Sequence, residues 1–308
     1  MRCKQMSKSF DDLISKVTEC DMKTVAVAVA QDEAVLEAVK AAKERKIANA
    51  ILVGDEVKIK EVAKEIHMDL ASFEIVNIED PAEAALKAVE LVHDKKADIL
   101  LKGLIDSKTF LKSVLNKEVG LRTDKMMSHV CVFEIKGMDH LLFFTDVAFN
   151  TYPNLEQKVN IINNCVEMTR VCGIETPKVA PICAVEVVNP KMQPTVDADE
   201  LTKMNERGEI KDCIVYGPLS MDLAISEEAA KHKGGITNPV IGHADILLFP
   251  NIDAGNITYK LLVATANVKN GNILLGTSAP VILTSRSDGF EVKVNSIALA
   301  SVVAGKIN

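Results

Sequence analysis

The residues with chemical potential gather in four short segments, each placed directly after an apolar run: KGLIDS (102–107), TDVAFNTYP (145–153), FPNIDAGN (249–256) and LTSRSDG (283–289). In the last, Thr284, Ser285, Arg286, Ser287 and Asp288 are consecutive. An arginine carries a permanent charge on a planar fork that suits phosphate, and a neighbouring hydroxyl can donate to the same anion. Asp288 can accept a proton or simply pair with the arginine. In 249–256, Pro250 ends an apolar run, and Asn251, Asp253 and Asn256 are short side chains able to bond the backbone. Gly255 lets a helix begin close to another group, and a helix start beside a strand end is a ready anion site. Lys102 closes an apolar run and is followed by Gly103 in a loop. An ordinary capped turn, or a surface Arg–Asp pair, explains any one of these segments. Four together weaken that explanation.

Other chemistries find no support. There is no GxGxxG and no GxxxxGK[ST], so the standard dinucleotide and P-loop readings lose ground. HExxH and GxSxG are also absent. The seven cysteines are irregularly spaced without a CxxC, which reads as reduced, buried residues rather than a disulfide framework or a zinc site. The six histidines are scattered, and His243 in IGHAD reads as a turn or packing residue. With 36 basic against 43 acidic side chains the net charge is −7, which disfavours nucleic acid and anionic membranes as partners. Aromatics at 4% without tryptophan leave no base-stacking platform. No secretory h-region and no run of ~20 apolar residues occurs, so a soluble, cytoplasmic protein is expected.

The elements that must hold these segments alternate. Val-rich TVAVAVA (24–30), ANAILVGD (48–55), FEIVNIED (73–80) and ADILLKG (97–103) read as strands. Helical spacing fills the intervals at 32–46, 57–68 and 81–96, with Pro81 at a helix start. CVFEI (131–135) and HLLFFTD (140–146) read as a hairpin, followed by a long helix over 154–171. Strands resume at 178–184, 212–218, 244–250, 272–276 and 280–286, with helices over 254–268 and 296–304. Such alternation predicts an α/β fold with a mostly parallel sheet between helical layers. At 308 residues, two domains are the prior.

Taken together, these segments resemble those of one family, the phosphate acetyltransferases and phosphate butyryltransferases. ADILLFPNIDAGNITYKLL (244–262), TDVAFNTYPNLEQK (145–158), YGPLSMDLAIS (216–226) and LTSRSDG carry the resemblance, and KGLIDSKTFLKSVLNKEVGLR (102–122) resembles the butyryltransferase branch. The resemblance implies a two-domain αβα architecture like that of isocitrate and isopropylmalate dehydrogenases, with the active site in the interdomain cleft. It returns the C-terminus to the first domain, giving 1–136 plus 268–308 against 137–267. It implies reversible exchange of an acyl group between CoA and phosphate, from butyryl-CoA to butyryl phosphate, by direct transfer in a ternary complex. Ser285 and Arg286 are implied catalytic residues, and Asp288 is the candidate general base on its proximity to them. Lys102, Gly103, Arg122, Asp146, Asn150, Asn251, Asp253, Gly255 and Asn256 are the implied contacts to CoA or substrate. No metal and no tightly bound cofactor are implied, CoA being a substrate, and the expected assembly is a homodimer or higher homo-oligomer.

Two departures matter. The acetyltransferase pattern has Asp–Cys–Ala where this chain has Asp146, Val147 and Ala148, so no cysteine nucleophile exists there. Ser287 stands where that pattern has glycine after Ser–Arg, and the nearest acids are Asp288 and Glu291. The alternatives are an acetyltransferase, a decarboxylating dehydrogenase and a non-catalytic CoA- or phosphate-binding regulator. The dehydrogenase lacks a convincing pair of metal-binding aspartates and leaves the Ser–Arg loop unexplained. For the regulator, loss of Arg286 or of the AGN segment is the expected mark, and both are present.

Overall fold

The computed structural model describes residues 6–233, 238–284 and 288–307. The chain folds into two compact units. An outer unit comprises Phe10–Lys125 with Asn270–Asn308, and a middle unit comprises Met1–Ser9 with Met126–Lys269.

The outer unit begins with α1 (Phe10–Thr18), β1 (Lys23–Ala28), α2 (Glu33–Glu44), β2 (Ala48–Gly54) and α3 (Glu56–Glu65). It continues with β3 (Glu74–Asn77), α4 (Pro81–His93), β4 (Ile99–Lys102) and α5 (Ser107–Val114). An aspartate caps each of α2 to α5: the carboxylates of Asp32, Asp55, Asp80 and Asp106 accept the first free backbone N–H groups. Such a cap is worth about 1 kcal/mol.

The middle unit contains the hairpin β5 (Ser128–Ile135) and β6 (Leu142–Thr145), then α6 (Leu155–Val171), β7 (Lys178–Pro181), α7 (Gln193–Glu206) and β8 (Ile214–Val215). Two short helices, α8 (Met221–Ile225) and α9 (Glu227–Lys233), lead to β9 (Ile246–Leu248) and α10 (Ile252–Thr265). The chain then supplies β10 (Val268–Leu275), β11 (Val281–Ile282) and α11 (Phe290–Ile307).

Both units hold their strands in mixed order. In the outer unit the strands lie β3-β2-β1-β4-β11-β10, parallel except for β10. Val281 pairs with Leu100 and Ile282 with Leu101, so the late strand β11 completes a sheet begun by early ones. The order reverses between β1 and β4, the topological switch point where such sheets take ligands. In the middle unit the order is β5-β6-β9-β7-β8, with β5 antiparallel.

The outer core is aliphatic, with Val25 to Ala30 and Ile99 to Leu101 almost wholly buried. The middle core is aromatic: Phe133 lies 4.8 Å from Phe144 and 5.9 Å from Tyr259, and Phe144 lies 5.2 Å from Phe249. These rings, and four register pairs from Val130–Thr145 to Phe133–Leu142, place β5 with the middle unit. A boundary at 136/137 would cut that hairpin, and the units meet along the chain at 125/126 and 269/270 instead.

Candidate functional site

In the outer unit the candidate residues follow the carboxyl ends of β4 and β11. Lys102 is the last residue of β4, and it is buried, its Nζ donating to the Gly103 carbonyl at 3.4 Å. Gly103 is required by a close approach: an added Cβ would lie 2.2 Å from the Val29 carbonyl oxygen. Its own N–H donates to Ala28 and that of Leu104 to Val29, so the β4 loop is laced onto the end of β1. Val29 itself takes φ 61°, a left-handed conformation costly for a β-branched residue. Strain of this kind, on the turn at the switch point, persists where surrounding structure enforces it. On the same turn the Gln31 Oε1 is buried without a hydrogen-bond partner, packed where a Gly54 side chain would otherwise sit. Asp288, past the end of β11, is buried, while Ser285 and Arg286 lie outside the described residues.

Arg122 is not brought to this edge. It bridges Thr277 in the turn between β10 and β11, and is exposed. Because β11 runs parallel to β4, that turn lies at the amino end of β4, opposite Lys102.

In the middle unit six candidate residues converge where β6 and β9 end. The Asp146 carboxylate is consumed by the turn that follows it. One oxygen accepts from Ala148 and Phe149 N–H, the other from His129 N–H, Asn150 N–H and the Asn150 Nδ2. Asn150 also donates to the Met127 carbonyl at 2.9 Å. Asn251 caps α10 through the Ala254 N–H, and Asn256 Nδ2 donates to the Val147 carbonyl at 2.9 Å. Gly255 permits this docking, since a Cβ there would lie 2.7 Å from the Asp146 carbonyl oxygen. Asp253 accepts from the exposed Tyr152 hydroxyl at 2.5 Å. The N–H groups of Ile252 and Ala254 are thus already engaged, by Thr151 and Asn251, which narrows the anion-binding capacity expected of this helix start.

Beside β7 and β9 the structure holds a buried ion pair. Lys158 Nζ lies 2.6 Å from Asp197 Oδ2, and Gln193 donates to the other oxygen. The pair lines a cavity of about 10 Å³ with Pro181, Leu248 and Pro250, room for roughly one water. Burial pushes the nearby Cys183 thiol up to about 11 and Cys213 to about 12, so neither supplies thiolate near neutral pH. Among the described residues no group of three or more His, Cys, Asp or Glu is disposed to hold a metal, and no helix is long and apolar enough to cross a membrane.

Comparison with known proteins decides what this arrangement belongs to. The family model "Phosphate acetyl/butaryl transferase" matches residues 9–86 and 81–301. The chain belongs to this family. It is 60% identical over 301 residues to a phosphate butyryltransferase of Clostridium beijerinckii, covering 98% of this chain and 99% of that one. It is 62% identical over 300 residues to a phosphate butyryltransferase of Clostridium acetobutylicum, covering 97% and 99%. Among solved structures it resembles a branched-chain phosphotransacylase from Enterococcus faecalis, with 36% identity, a TM-score of 0.82, and coverage of 92% of this chain and 99% of that one.

For a phosphate acetyl/butyryl transferase, three features escaped sequence reasoning. Tyr152 sits inside the TDVAFNTYP segment but carries no signal beyond being aromatic. The Lys158–Asp197 pair joins two helices, and no spacing rule links positions 39 apart in sequence. Lys293 is polar within an apolar closing helix, and only its burial marks it.

Proposed function

We infer that the chain is a phosphate butyryltransferase, converting butyryl-CoA and inorganic phosphate to butyryl phosphate and CoA, reversibly. The observation that carries this is identity of 60% over essentially full length to a protein of that name. In the proposed mechanism Arg286 and Ser285 hold phosphate and face the negative charge of the tetrahedral intermediate. Preorganised donors of this kind are each worth about 3 kcal/mol. Asp288 takes or returns the CoA thiol proton, which matters because a free thiol of pKa ~8.5 is only a few per cent ionised at neutral pH. Transfer is direct, in a ternary complex. Burial of the Cys183 thiol and the valine at position 147 both support a path without an acyl-cysteine.

The proposal gives the other candidates two kinds of work. Lys102, Gly103, Arg122 and Asp253 contact CoA or substrate. Asp146, Asn150, Asn251, Gly255 and Asn256 shape the loops that receive it, as their internal hydrogen bonds and close contacts support. The proposal includes an αβα arrangement like that of isocitrate and isopropylmalate dehydrogenases. It also includes a cytoplasmic homo-oligomer with no tightly bound cofactor. Ile257 and Leu261, exposed one turn apart on α10, are the surface that supports self-association.

The test is thiol release from butyryl-CoA by the purified protein, with and without phosphate. Release that depends on phosphate is expected. Release without phosphate indicates a hydrolase, and none in either condition refutes the reading.

A further inference from the structure

Lys293 lies in the first turn of α11, yet it is only 4% exposed. A cation at a helix start opposes the helix dipole, and its burial carries a desolvation penalty. That burial holds its ammonium below the ordinary lysine range, against the pull of the Asp32 and Asp288 carboxylates. Among the described residues Lys293 forms no direct ion pair. Its hydrogen bond goes to the main-chain carbonyl of Asp288, at 2.5 Å. The packing of α11 against α2 brings it towards the turn that carries Asp32 and the unpartnered Gln31 Oε1. Asp288 is followed by Gly289, the residue type that restricts the backbone least. A charge kept in a place that opposes stability, with its bond on the backbone of one acid, is a mark of function rather than packing.

We propose that Lys293 is a positioning residue for acyl transfer: it fixes Asp288 by its main-chain carbonyl and sets a buried positive charge towards that residue's carboxylate. The inference rests on the transferase reading and on Asp288 as the proton acceptor. It separates two quantities that a packing role would join. Replacing the ammonium by an apolar side chain of similar length relieves the burial and dipole penalties, so stability holds or rises while turnover falls.

The experiment is a double-mutant cycle on the intact protein with Lys293→Met, Asp288→Asn and their combination, read as kcat and KM for butyryl-CoA and phosphate, with Tm for each. Lys293→Met is expected to lower kcat about a hundredfold, the size of effect seen on removing one preorganised group, with both KM values within about threefold and Tm unchanged or raised. The double variant is expected to be no slower than Asp288→Asn alone, and Lys293→Arg to recover at least about tenfold over Lys293→Met. The proposal is overturned if Lys293→Met keeps kcat within about threefold, if its loss accompanies a fall in Tm, if the two losses multiply, or if Asp288→Asn keeps wild-type kcat. Should Lys293→Met fail to fold, the role is structural and the proposal falls. Absence of phosphate-dependent thiol release in the wild type instead removes the transferase reading, independently of the variants.

Discussion

A single carboxylate, Asp146, accepts five hydrogen bonds, and this decides what its loss does. Asp146→Ala strands the buried His129 N–H and unlocks the turn through Asn150. An unsatisfied buried donor costs about 1–3 kcal/mol, so a loss of roughly 2–5 kcal/mol is expected, measured by urea denaturation, with activity following the folded fraction. For Arg286 the proposed role predicts the opposite. Arg286→Lys keeps the charge but loses the planar fork, and at least a roughly tenfold loss of turnover at near-native Tm is expected; wild-type rates would remove its role. The contrast shows what the sequence made legible at this scale. Resemblance marked both positions as important but did not separate the structural role of Asp146 from the ligand contact proposed for Arg286. Asp146 gains the partner that buries it, the His129 N–H, only after β5, which starts 18 residues earlier, has paired with β6. The Asn251 cap, by contrast, was readable, because its partner lies three residues away.

Among the elements, the alternation of strands and helices was legible because period and capping agree, with an aspartate closing each early strand-to-helix turn. The misses have physical reasons. α7 is polar enough to show no apolar stripe, and α11 begins at Phe290 rather than 296 because Lys293 and Asn295 interrupt its pattern while being buried. The contact of α10 with the turn after β6 depends on Gly255. Gly255→Ala forces a Cβ to 2.7 Å from the Asp146 carbonyl, and overpacking of that kind costs about 1–3 kcal/mol. A lowered Tm together with reduced kcat/KM is expected. At the other end of β9, Asp245 accepts the Lys178 N–H at 2.8 Å, and burial raises its pKa above the ordinary carboxylate value. With the folded pKa above the unfolded one, its contribution is fully present below the unfolded value and lost as pH rises through the folded one. Asp245→Asn is therefore expected to raise Tm at about pH 7 relative to wild type, with the difference shrinking towards about pH 3. A difference that is the same at both pH values would refute the assignment.

For the whole molecule, acyl preference is the property with a physical bound. Two methylenes buried at ~0.8 kcal/mol each favour butyryl over acetyl by about 1.6 kcal/mol, or roughly fifteenfold. Longer chains meet overpacking, which is steeper per methylene. A broad optimum near four carbons is expected in kcat/KM for acetyl-, butyryl- and octanoyl-CoA with phosphate, and an acetyl optimum would move the protein to the acetyltransferase branch. The route of the chain has a consequence of another kind. On the ribosome, β1 to β4 emerge first, but β11 pairs with β4 only after the whole of the middle unit has been synthesised. Until then β4, all four residues of which end up buried, has a neighbour on one side alone. The nascent protein thus carries an open, apolar sheet edge through most of its translation, a species prone to mispairing and suited to chaperone capture. The middle unit has a shorter wait, since its five strands are consecutive in the growing chain and β9 supplies the missing neighbour of both β6 and β7. Slowed elongation beyond residue 269 would therefore prolong the vulnerable state of the outer unit while leaving the middle one folded.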